Sequence, residues 1–193
     1  MSESSTNIPQ PQEGTHYSMG VLAAIRMGQK TANELKHAQL EPLHLLLGIM
    51  KAGMGVASAP LTSLPEDARN ELNERISKLS AKLVNASKRI PSHLIGASTA
   101  TVGAFQIASD RAKELKHGLH APDSTANLLG KANFVPSIQV DSDDLLWGLI
   151  KSDESIKNLL QEAGITEELL VNEEKQANMN HLSRTHLGDI DKD

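Results

Sequence analysis

Leu45-Leu46-Leu47-Gly48-Ile49-Met50-Lys51 returns in the same chain as Leu145-Leu146-Trp147-Gly148-Leu149-Ile150-Lys151, and this return decides the fold. Upstream, Glu34-Leu35-Lys36-His37 recurs as Glu114-Leu115-Lys116-His117. The downstream pair is displaced by 100 residues and the upstream pair by 80, so the second copy holds an insertion of about 20 residues, 118–137. At the shorter displacement Ser18 meets Ser98, Leu22 meets Val102, Ala24 meets Ala104, Ile25 meets Phe105 and Ala32 meets Ala112. Two matches in one order, with apolar positions aligned between them, mark a duplicated unit. One copy alone would leave its leucine-rich helix half exposed, whereas two copies packed about a pseudo-twofold axis cover each other.

Outward from these motifs the spacing is helical. Val21, Leu22, Ile25, Ala32 and Leu35 form one apolar stripe, which predicts a helix from Ser18, with Ser18 and Ser98 as N-caps of the two copies. A second helix is expected near Glu41–Pro42, because the missing proline N–H costs nothing in a first turn. It carries leucines on several faces and should be buried. Ser63-Leu64-Pro65-Glu66-Asp67 predicts another start, with serine as the cap and acids at the positive end of the helix dipole. Leu72, Ile76, Leu79 and Leu83 then follow at helical spacing. The expected organisation is a disordered leader at 1–16, repeat one at 17–84, a linker at 85–96 and repeat two at 97–171. A helix extension and polar tail would occupy 172–193.

Composition narrows the class. Aromatic residues are 2% of 193, namely Tyr17, Phe105, Phe134 and Trp147, so the core must be built from Leu, Ile, Val, Met and Ala. That favours an all-α fold over a sheet. The net charge of −5 is spread without a basic stripe, which argues against nucleic acid. With no cysteine there is no thiol nucleophile or thiolate ligand. Residues 1–14 lack the basic and apolar regions of a secretory signal, and no stretch reaches the roughly 18 apolar residues of a membrane span. A soluble cytoplasmic protein without a membrane partner is expected.

These residues resemble the Clp N-terminal repeat of Clp-type AAA+ unfoldases. That repeat reads as a helix ending Leu-Gly-His, a short extended link, then Thr-Glu-His-Leu-Leu-Leu-Gly-Leu-Leu. Leu35-Lys36-His37 is similar to the first element, and Pro42-Leu43-His44-Leu45-Leu46-Leu47-Gly48-Ile49-Met50 to the second. Gly55-Val56-Ala57 is similar to the start of the third helix. In the second copy Leu115-Lys116-His117 and Ser142-Asp143-Asp144-Leu145-Leu146-Trp147-Gly148-Leu149-Ile150 take those places. Near residue 164 the likeness is strongest, with Gly164 suited to a helix C′ position and Thr166 to the next N-cap.

The resemblance covers about 17–171 and implies a double Clp N-terminal repeat of about eight helices, in two pseudo-twofold-related four-helix units. It further implies a non-catalytic module that binds a Clp unfoldase, the Clp protease core, adaptor proteins, or unfolded or marked substrates. Family members that read phosphorylated arginine carry a glutamate in each Thr-Glu-His segment; Leu43 and Asp143 stand there instead. Leucine cannot pair with a guanidinium, so a symmetric two-site reader is not expected. Asp143 either retains a half-site or, with Asp144, simply favours the first turn of its helix. The candidate protein-binding residues are therefore Asp143, Asp144, Trp147, Leu43 and, in the insertion, Phe134. Binding is expected in an apolar groove between the repeats, weighted toward the second.

The chain has neither Gly-x-x-x-x-Gly-Lys-Ser/Thr nor Gly-x-Ser-x-Gly, so no ATPase module, catalytic residue or cofactor is expected. His117 and His120, and His181 and His186, lack carboxylates at ligand spacing, and no metal is assigned to them. His37 and His117 are expected to bond the last carbonyls of their helices. The functional expectation is an adaptor, regulator or decoy of a Clp proteolysis or chaperone system. Two alternatives stay open: an accessory factor docking on the Clp protease core, and a small hydrolase or metal-dependent enzyme with its site in the insertion.

Overall fold

Each copy of the repeat opens with a helical hairpin. The computed structural model describes residues 9–54, 58–83, 85–86, 90–116 and 137–172. Repeat one comprises α1 (Met19–Glu34), α2 (Pro42–Ala52), α3 (Ser58–Thr62) and α4 (Glu66–Ser80). Repeat two comprises α5 (Thr99–Lys116), α6 (Ser142–Ser152), α7 (Glu154–Glu162) and α8, which opens at 167 and is described to 172. None of the described helices is long and apolar enough to cross a membrane.

The two displacements in the sequence meet physically inside the hairpins. A Cβ on Gly48 would lie 2.1 Å from the Ala24 carbonyl oxygen, and one on Gly148 would lie 2.2 Å from that of Ala104. Only glycine lets α1 cross α2, and α5 cross α6, at this separation. Leu45, Leu46, Leu145, Leu146 and Leu149 are fully buried in one core shared by both repeats. Each such side chain contributes about 1.5–3 kcal/mol by leaving water.

Two clasps join the repeats, and they obey the same displacements. The Ser18 N–H donates to the Val140 carbonyl and the Ser98 N–H to the Leu40 carbonyl, both at 3.0 Å. Around the first clasp, β1 (Thr15–Tyr17) pairs in parallel with β2 (Ile138–Val140), Thr15 opposite Ile138 and Tyr17 opposite Val140. Around the second, Leu40 and Ala97 form a single parallel bridge. The hydroxyl of Ser18 accepts from Val21 N–H at 3.4 Å and that of Ser98 from Thr101 N–H at 3.3 Å, so both serines cap as expected. Gly164, at φ 84°, ends the turn after α7, and the Thr166 hydroxyl accepts from Leu169 N–H at 3.3 Å.

Several expectations change. Residues 9–16, assigned above to a disordered leader, lie along α5: Gln12 bonds Asp110 and Lys113, and the Tyr17 hydroxyl donates to the Pro9 carbonyl at 3.0 Å. The Tyr17 ring meets Phe105 at 5.3 Å, and burial pushes its hydroxyl pKa up to about 12. That tyrosine anchor is what a polar composition conceals. The linker is likewise a strap across α1: Asn33 donates to the Ile90 carbonyl at 2.8 Å, and Gln29 to the carbonyl of the buried Ile95 at 3.3 Å. A short 3-10 turn, Ser92–Leu94, lies between those two contacts. Ser63 does not cap α4; its hydroxyl donates to the Pro60 carbonyl, and the helix starts after Pro65. Gly55-Val56-Ala57, Phe134, His117, His120, His181, His186 and the insertion up to 136 lie outside the described residues.

Candidate protein-binding site

The first turn of α6 gathers acids. Asp144 Oδ2 accepts from the Asp141 N–H at 2.9 Å, closing a capping box, and the Asp144 side chain is fully buried. Asp143 keeps 13% of its side chain exposed. Arg111 reaches over from α5: its Nη1 donates to the Asp143 carbonyl at 3.0 Å and lies 3.9 and 3.7 Å from the carboxylates of Asp143 and Asp144. Its guanidinium carbon also sits 4.7 Å from the Trp147 ring centre, as does Lys151 Nζ, which pairs with Glu167 of α8. Trp147 thus has two cations against its ring. The carboxylates of Asp141, Asp143 and Asp144 lie within 4.8 Å of one another, oxygen donors of the kind a divalent cation accepts, with Arg111 beside them.

The same positions in repeat one carry different chemistry. Leu43 is buried in the core, which removes it from any binding surface. His44 is fully buried; its Nδ1 accepts from the Glu41 N–H at 2.9 Å and its Nε2 lies 2.7 Å from His37 Nδ1. Burial, then the His37 charge, lowers the His44 pKa to about 4; burial also lowers that of His37. The His37 ring therefore does not reach the last carbonyls of α1. Lys36, at φ 59°, turns the chain so that the His37 backbone N–H bonds the Ala32 carbonyl and the ring meets His44. Lys51 donates to the Thr31 hydroxyl at 3.0 Å, where Lys151 and Arg111 stand in repeat two.

Between the repeats, α4 and α7 leave a groove of about 380 Å³. Leu79 and Leu159 form its apolar part, and Arg75, Lys78, Asn158 and Glu162 stand around it. Arg75 pairs with Glu71 at 2.7 Å and also bonds Glu162 from α4 to α7. A second cavity of about 240 Å³ lies between residues 9–12 and the Val102–Phe105–Ser109 side of α5.

Of the candidate residues, Asp143, Asp144 and Trp147 are brought together around Arg111, but only Asp143 and Trp147 are partly exposed; Asp144 is fully buried and Leu43 lies in the core. Arg111 escaped notice, although a lone cation within the alanine stripe Ala104, Ala108 and Ala112 was a usable signal. The groove carried no such signal, because Leu79 and Leu159 read as ordinary core positions and Arg75, Lys78, Asn158 and Glu162 as ordinary solvated ones.

The sequence matches the Clp repeat (R) N-terminal domain over residues 17–125. Among solved structures, the fold is similar to the Hsp104 N-terminal domain from Candida albicans, with a TM-score of 0.53 and 18% identity over 81% of this chain and 87% of that one. It is also similar to the N-terminal domain of the caseinolytic protease associated chaperone ClpD from Arabidopsis thaliana, with a TM-score of 0.57 and 17% identity over 84% of this chain and 94% of that one. At these identities the likeness is one of fold. No curated protein sequence matches the chain.

Proposed function

Since the chain belongs to the Clp repeat (R) N-terminal domain family, matched over more than half its length, we propose that it is a non-catalytic protein-binding module of a Clp AAA+ proteolysis or chaperone system. It acts there as an adaptor, regulator or decoy, taking up segments of adaptors or unfolded clients. The observation that carries this reading is the groove between α4 and α7, where Leu79 and Leu159 meet polar and charged neighbours from both repeats. Such a surface suits an extended apolar segment with few fixed polar contacts. Polar recognition falls to the second repeat, where Asp143 and Trp147 remain partly exposed while Leu43 is in the core. The proposal places the protein in the cytoplasm, away from membranes and nucleic acid, in keeping with its scattered charges.

A photo-crosslinker at the exposed Asn158 tests it with purified components. Crosslinks to an unfolded polypeptide, or to a Clp unfoldase or its adaptor, are expected, with competition by unlabelled client. Crosslinking no greater than from a site on the exposed face of α1, such as Lys30, would count against the groove.

A further inference from the structure

The link between α1 and α2 holds both ends of the strap that leads to repeat two. At its start, His37 bridges Asn85, and the Lys36 carbonyl accepts from Ala86 N–H at 2.8 Å. At its end, Leu40 N–H donates to the Gly96 carbonyl at 2.8 Å. The Leu40 carbonyl accepts from Ser98 N–H at 3.0 Å and from the Thr101 hydroxyl at 2.7 Å. Residues 36–40 are therefore the repeat-one clasp, and the two histidines close the link that carries it.

The hydrogen bonds fix where the protons are. His44 Nδ1 accepts from Glu41 N–H, so in the neutral ring its one proton is on Nε2, 2.7 Å from His37 Nδ1. That nitrogen of His37 must then be the acceptor, and the His37 proton lies on its own Nε2. A further proton has no neutral place between the rings. On His44 Nδ1 it removes the acceptor of the α2 cap; on His37 Nδ1 it sets two N–H donors face to face. Both rings are buried, so neither charge is well solvated. Among the described residues the charged groups on the surrounding elements are Arg26, Lys30 and Glu34 on α1, Lys36 and Glu41 on the link, Lys51 at the far end of α2 and His93 in the strap. Glu41 opposes burial at His37, whereas His37 itself adds to it at His44.

Repeat two closes its corresponding turn with the Asp144 carboxylate, which needs no proton to cap. We infer that the His37–His44 pair makes the repeat-one clasp a proton-operated latch, which loosens in mild acid while the Asp144-capped clasp of repeat two holds. Both histidine pKa values are lowered by folding, so the stability they contribute is present in full above about pH 6.5. It is lost as the pH falls toward 4.

Hydrogen exchange on the full ¹⁵N-labelled chain, corrected for intrinsic rate, tests the latch at two amides. Between pH 7 and 4.5 the protection of Ser98 N–H is expected to fall about tenfold or more relative to that of Ser18 N–H. His44→Gln keeps a capping acceptor without a titrating ring and should hold that ratio constant. Equal loss at both amides in the native chain, or an unchanged pH response in the variant, would overturn the inference. Should His44→Gln fail to fold, imidazole ¹⁵N shifts of the native chain decide. A single His44 tautomer with its proton on Nε2 at pH 7, replaced by a doubly protonated ring as Ser98 protection falls, supports the latch; a proton on Nδ1 at pH 7, or Ser98 protection unchanged as the ring protonates, contradicts it.

Discussion

Repeats one and two share the glycine crossing of their hairpins, the two clasps and the serine caps, and differ in the polar side chains set around them. Gly48 against Ala24 is answered by Gly148 against Ala104, and the Ser98–Leu40 clasp by Ser18–Val140. Yet Thr31, Leu43, His44 and Leu47 become Arg111, Asp143, Asp144 and Trp147. The hairpin crossing tolerates no added atom, whereas the first turn of the second helix needs only some acceptor for one N–H. A histidine and an aspartate both supply it. The glycines at the two crossings stayed alike, while Gly28, close to the His44 carbonyl, is answered by Ala108 and the first turn of the second helix changed its side chains, which is where an asymmetric binding function arises.

The comparison breaks first at its steric half. Gly48→Ala and Gly148→Ala should each cost about 3 kcal/mol or more, or prevent folding, because the added methyl meets backbone rather than a movable side chain. Urea denaturation of both variants checks it, and a mild effect in one alone would mean the crossings are not equivalent. Next comes the polar half. Arg111→Met leaves the Asp143 and Asp144 carboxylates without their guanidinium and should cost about 2–3 kcal/mol, against under 1 kcal/mol for Thr31→Val. Thermal melts of the pair give the difference directly. Smaller still, Ser18→Ala and Ser98→Ala should each lose about 1 kcal/mol of stability, with Ser98 the worse of the two because Thr101 also bonds there. Removing the exposed Arg75–Glu162 pair by Arg75→Gln should change stability by about 0.5 kcal/mol or less.

The duplication was legible because steric demand writes itself into residue identity: a glycine facing an alanine has few substitutes. The helices carrying Leu45 and Leu145 were legible for the same reason, since a fully buried helix shows leucine on several faces. What the sequence hid was pairing across distance. Thr15 and His16 read as the end of a polar leader until Ile138–Val140 lies beside them, and residues 90–95 read as a linker until Asn33 and Gln29 bond the carbonyls of Ile90 and Ile95. At the candidate site, Asp143, Asp144 and Trp147 stood out as departures from the family pattern. Their partner Arg111 lies 32 residues from Asp143, and nothing local joins the two. Leu43 was judged by what it had lost as a recognition residue, when its side chain had gone into the core.

The central claim is that a duplicated scaffold presents a protein-binding groove between its repeats. Titration of the ¹⁵N-labelled chain with an unfolded polypeptide, followed amide by amide, tests it most directly. Saturable shifts at Lys78, Leu79, Ser155 and Asn158, with no comparable change along the exposed face of α1, are the expected result. Shifts absent at saturating polypeptide, or confined to residues away from α4 and α7, would contradict it.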